Sequence, residues 1–154
     1  MKSKSEIISI SQNYFDGGYA CSQSVLLAFA PHFDLDEQTA KLISSTFGGG
    51  MGRLRLTCGA VTGSFMVLGL AYGNCVPNDM KTKLKSYSMV REFNRRFIQM
   101  HGTSSCSELL EKHASEADVS ERKHHKLICR KVVADAAGLV YDMLMEEESV
   151  QTHE

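Results

Sequence analysis

Five cysteines have the widest chemical reach in this 154-residue chain: Cys21, Cys58, Cys75, Cys106 and Cys129. A thiolate can act as a nucleophile, a redox centre or a soft metal ligand. The five form no tight C-x-x-C pair, and no Cys/His run has zinc-finger spacing. Any shared site must therefore be assembled by folding. Cys58 sits in FGGGMGRLRLTCGAVTGSFMVLGLAYG, residues 47–73. This stretch predicts a glycine-rich loop feeding a buried helix, with Thr57 as N-cap and Gly73 as the stop. Cys58 then lies in the first helical turn, where unpaired N–H groups and the helix dipole favour an anion. A depressed thiol pKa is the expectation there.

Two further cysteines fall at predicted helix starts. Cys21 follows Gly17-Gly18, and Cys106 follows Ser105 in the capping box Ser105-x-x-Glu108. Helix starts that converge would make a partly positive pocket for thiolates. Cys129 lies within a later helix, on the same face as His125 four residues earlier, a spacing open to a metal-ligand pair or a base–thiol pair. The plain alternative for Cys129 is core filling, and for His124-His125 in ERKHHK a solvated helix start. His101 reads as a C-terminal helix residue favoured by the dipole. Arg53 and Arg55 could stabilise a thiolate or bind an anion, or form an exposed pair. Gly59/Gly63 and Ala60/Ser64 repeat at i,i+4 and let another backbone approach the Cys58 helix closely. The glycine run lacks the GxxxxGK[ST] pattern, and no strand precedes it, which argues against a nucleotide-binding loop.

The elements that must position these groups all read as helices. Ser3-x-x-Glu6 caps a first helix with Ile7, Ile10 and Tyr14 on one side. A second runs from near Cys21 to near Pro31. A third starts at Asp34 to Asp36, carries the stripe Ala40, Ile43 and Phe47, and stops at Gly48 to Gly50. The Cys58 helix is the fourth, and its turn-rich exit carries Cys75. A fifth, about 78–100, places Tyr87, Val90, Phe93, Phe97 and Met100 inward and a basic cluster outward. After the Cys106 helix, a polar linker over 114–118 leads to a last helix of about 120–148. Its stripe is Cys129, Val133, Ala136 and Val140. The expected fold is all-α: one domain over 1–154, six or seven helices around the fourth, with an acidic tail fraying after about 146.

Bulk properties narrow the function. Net charge is −1, which gives no reason to expect nucleic acid as a partner. No apolar run is long enough to span a bilayer, and MKSKSEIISI has no secretory h-region, so the expected location is cytoplasmic. Structural disulfides are rare there, and the cysteines need another explanation.

The combined pattern resembles the redox-active protein family named for its cysteines, C-GCAxxG-C-C. Cys58-Gly59-Ala60-Val61-Thr62-Gly63 gives CGAxxG, flanked by GGGMGR and LGLAYG, with GYACSQSVL upstream and GTSSCSELL downstream. The resemblance runs from about Glu6 to Leu144. It assigns the four characteristic cysteines to Cys21, Cys58, Cys106 and Cys129, and leaves Cys75 out. Thr57 departs from it, standing where the family name has glycine. It implies a small cytoplasmic helical protein with redox activity, often associated with transporter genes.

Three functions follow as expectations. In the first, Cys58 attacks and Cys21, Cys106 or Cys129 resolves a disulfide, with an electron donor or reductase as partner. In the second, the same four thiols, with His125, hold zinc or an iron–sulfur cluster. Gly59, Gly63 and Arg55 are the further contacts expected for a bound group. In the third, the cysteines are core residues of a helical interaction protein, with the small-residue face open to a homodimer.

Overall fold

Side-chain caps start several helices of this chain, and left-handed residues punctuate the turns between them. The computed structural model describes residues 1–114 and 121–153. Among these residues are seven α-helices of nine residues or more, and no extended strand. They are α1 Lys4–Asp16, α2 Cys21–Phe29, α3 Glu37–Ser45, α4 Gly59–Tyr72, α5 Met80–His101, α6 Cys106–Ala114 and α7 Glu121–Thr152. A 3-10 turn, Ala30–Phe33, follows α2, and a four-residue turn, Gly48–Met51, precedes α4. The all-α expectation holds. Of the linker expected over 114–118, Ala114 ends α6 and residues 115–118 lie outside the described residues, as does the side chain of His124.

The first cap is the one the sequence announces. Ser3 Oγ accepts from Glu6 N–H at 3.3 Å, and Ser3 N–H donates to Glu6 Oε2 at 2.8 Å. For α3 the cap is Asp36, whose carboxylate accepts from Thr39 N–H at 2.8 Å. Asp34 instead takes the left-handed conformation that closes the 3-10 turn.

Helix α4 is apolar on nearly every side, and Gly59 to Ser64, Val67 and Leu68 are all buried. It packs against α2, α5 and α7. It shares the centre with α7, which touches α1, α2, α4, α5 and α6. At about 1.5 Å per residue, α7 is long enough to pass all of them. Its buried Val133, Ala136 and Val140 are the expected stripe, and α7 stays helical through the acidic tail to Thr152. Lys85–Glu147 and Arg96–Glu146 ion pairs lie along that segment.

Two faces turn differently from the sequence expectation. On α5 the buried set is Met89, Phe93, Phe97 and His101, while Tyr87 and Met100 are about half exposed. Rings decide this. Phe93 meets Phe65 of α4 edge-on and stacks on Phe97, which in turn contacts His101. On α3 the buried residues are Ala40 and Ser44, and Ile43 is half exposed. The neighbouring α2 comes close enough for Ser22 Oγ to donate to the Ser44 carbonyl at 2.7 Å, so small side chains fill the contact.

Helices α2 and α4 also meet backbone to backbone. A Cβ on Gly63 would lie 2.6 Å from the Ser22 carbonyl oxygen, and one on Gly59 would lie 2.4 Å from Cys21 Sγ. The close approach expected from the small-residue spacing is present. No helix of the described residues is long and apolar enough to cross a membrane.

Candidate functional site

Three cysteines stand at helix starts. Cys21 is the first residue of α2, Cys58 is the N-cap of α4, and Cys106 is the first residue of α6. Thr57 is not the cap. It forms an isolated antiparallel bridge with Ser105. Cys58 N–H donates to the Ser104 carbonyl at 2.8 Å, and Cys106 N–H to the Leu56 carbonyl at 2.6 Å. These bonds join the starts of α4 and α6, residues far apart in the chain. Sequence reading missed this because a single bridge leaves no alternating pattern to detect.

The glycine-rich loop covers the junction. Gly49, Gly50, Met51, Gly52, Arg53 and Arg55 all have φ between 60° and 69°. For the non-glycine residues this conformation costs roughly 1–2 kcal/mol each, and it persists where the surroundings impose it. Part of that imposition is visible in backbone bonds from Arg53, Arg55 and Leu56 N–H to the carbonyls of Gly48, Gly49 and Gly50. A Cβ at Gly50 would stand 2.6 Å from Cys106 Cβ and 2.8 Å from Leu56 N. Only glycine allows the loop to lie this close to the thiol-bearing turn.

Beneath the loop is a cavity of about 50 Å³, and all four family-pattern cysteines line it. Gly49, Arg55 and Gly59 complete one side, and Leu109, Leu110, Ile128 and Val132 form the apolar wall. The space suits one or two water-sized groups, not a substrate molecule. Cys129 reaches it from the interior of α7. Cys75 is exposed and does not line it. Neither does His125, nor Gly63, whose role is the contact with Ser22.

Burial dominates the electrostatics of the thiols. It pushes the Cys58 thiol well above the ordinary range, and a charge on Cys21 adds to the rise. The Ala60 and Val61 amides of the helix start pull the other way and are outweighed. The expectation of an activated Cys58 is therefore reversed: the dipole acts there, but desolvation is larger. Cys21 is likewise pushed up by burial, against the amides of Gly49 and Ser22 and with Cys106 opposing its ionisation. Cys129 is pushed up to about 12 by burial, then by Cys21 and Cys106, with Arg55 opposing. Cys129 thus feels Cys21 and Cys106, Cys58 feels Cys21 and Cys129, and Cys21 feels Cys106.

Cys106 has a different neighbour. Arg55 Nη1 donates toward its sulfur across 3.7 Å. Among the described residues, no three His, Cys, Asp or Glu side chains form a group that could hold a metal ion as they stand. The geometry thus gives the zinc and iron–sulfur expectations no support of its own.

Residues 19–143 match the family described as "Putative redox-active protein (C_GCAxxG_C_C)". The chain belongs to this family. The matched segment contains all four cavity cysteines together with the glycine-rich loop that covers them. Comparison with curated proteins and with solved structures finds no match to the chain.

Proposed function

We propose that this protein stores and passes electron pairs by thiol–disulfide exchange at the four-cysteine cavity. The observation that carries the reading is the convergence of Cys21, Cys58, Cys106 and Cys129 on one space of about 50 Å³. The family description supports redox activity in general terms. Cys106 is the exchanging thiol, because Arg55 stands beside it. In this reading Cys21 or Cys129, which line the same cavity as Cys106, resolves the mixed disulfide. Cys58 is a buried member of the same set. In the cytoplasm, the compartment expected from the sequence, the resting protein is the dithiol form. An electron donor or reductase then completes the cycle.

Equilibration in dithiothreitol redox buffers, followed by thiol counting, tests this. A single two-electron step that disappears in Cys106→Ser is expected. Retention of every cavity thiol across the whole range of buffers would reject the proposal.

A further inference from the structure

The cavity is too small to admit a substrate, so an incoming sulfur must reach Cys106 from outside. Arg55 marks the way in. It lines the cavity, and it also lines a surface groove of about 510 Å³. The two spaces have Arg55 in common, and Ser105 of the groove directly precedes Cys106 of the cavity in the chain. Arg55 is half-buried, and among the described residues no carboxylate pairs with it. Beside it the groove carries hydroxyl-bearing Thr57, Ser104 and Ser105, with Leu56 and Ile98 as apolar shoulders. The carboxylate of Glu108 is held by Thr103. A planar cation with no carboxylate partner, amid hydroxyl donors, recognises a carboxylate with the N–H groups that do not face Cys106. The apolar shoulders suit a short methylene spacer.

We propose that this groove receives a small disulfide bearing a carboxylate, which Arg55 holds while the disulfide sulfur meets Cys106. The inference rests on the thiol-exchange function proposed above. The Cys106 thiolate attacks one sulfur of the disulfide. A Cys106–sulfur bond forms, the substrate S–S bond breaks, and the leaving thiolate takes the proton that Cys106 released. The Cys21 or Cys129 sulfur, giving up its proton, then attacks Cys106 and expels the second substrate thiol. Two protein thiols lose two electrons and two protons, and one small disulfide becomes two thiols.

Three reagents test the charge preference: dithiodiglycolate, 2-hydroxyethyl disulfide and cystamine, which are anionic, neutral and cationic. Each oxidises reduced protein carrying Cys75→Ser, and each rate is divided by that for a free thiol under the same conditions. The anionic reagent should exceed the cationic one by at least about tenfold, a difference that added salt diminishes. Arg55→Leu should abolish the ordering and Arg55→Lys should keep most of it. Equal normalised rates on the wild-type loop, with the protein disulfide still forming, would overturn the groove assignment and leave thiol exchange standing. If none of the three reagents produced a protein disulfide, both proposals would fall together.

Discussion

Replacing Gly63 by alanine tests how the cysteines are brought together. A helix-interior glycine loses about 1 kcal/mol relative to alanine, so the substitution alone should stabilise α4. At Gly63 the new methyl carbon would stand 2.6 Å from the Ser22 carbonyl oxygen and 3.1 Å from Ser22 Cα. Both are backbone atoms, so no side-chain rotation relieves the contact. Helix α2 must move away from α4, carrying Cys21 with it. Overpacking of this kind costs roughly 1–3 kcal/mol, and more where the backbone itself must shift. Subtracting the propensity gain of about 1 kcal/mol leaves an expected net loss of up to about 2 kcal/mol, more if the α2 backbone must shift. Gly69 is the internal control. It lies in the same helix, is exposed, and would place its Cβ with no atom within 4 Å. Gly69→Ala should therefore gain about 0.5–1 kcal/mol. Urea denaturation of both variants gives the comparison, and the yield of disulfides involving Cys21 should fall in Gly63→Ala alone. Equal stability changes in the two variants would refute the claim that a backbone contact at Gly63 sets the position of α2.

Stability should fall at high pH. The folded chain holds the Cys129 proton more tightly than the unfolded chain, whose thiol has the ordinary value of about 9, against about 12 when folded. That contribution is complete below about pH 9 and is lost as pH rises toward 12, at up to about 1.4 kcal/mol per unit. Urea midpoints between pH 8 and 10.5 should show the decline, and Cys129→Ala should make it shallower. Ser22→Ala removes the buried hydroxyl that donates to the Ser44 carbonyl, and calorimetry should show a loss of about 1 kcal/mol.

Much of this arrangement is legible in the residues themselves. Ser3 and Glu6 announce α1, and the i,i+4 glycines announce a close backbone approach to α4 without saying that α2 makes it, because caps and close approaches depend on local spacing. The rotation of α5 was not legible. Tyr87, Val90, Phe93 and Phe97 fit a helical stripe as well as Met89, Phe93, Phe97 and His101 do, and the choice is made by Phe65 on another helix. The pairing of the Cys58 and Cys106 turns was equally hidden. It rests on backbone bonds among residues 55–58 and 104–107, which side-chain patterns do not encode. Arg55 was visible as a cation near a thiol, but its partner turned out to be Cys106, reached through the same bridge. The ionisation of Cys58 was misjudged because sequence shows the helix dipole and does not show the burial that outweighs it.

Mapping the disulfide formed on mild oxidation addresses the four-cysteine cavity most directly. Reduced protein treated with a stoichiometric small disulfide, trapped with an alkylating agent and digested should contain one intramolecular bond from Cys106 to Cys21 or Cys129. Cys75 should remain free within each molecule. Oxidation confined to Cys75, through bonds between separate molecules, with the four cavity cysteines all alkylated as thiols after unfolding, would contradict it.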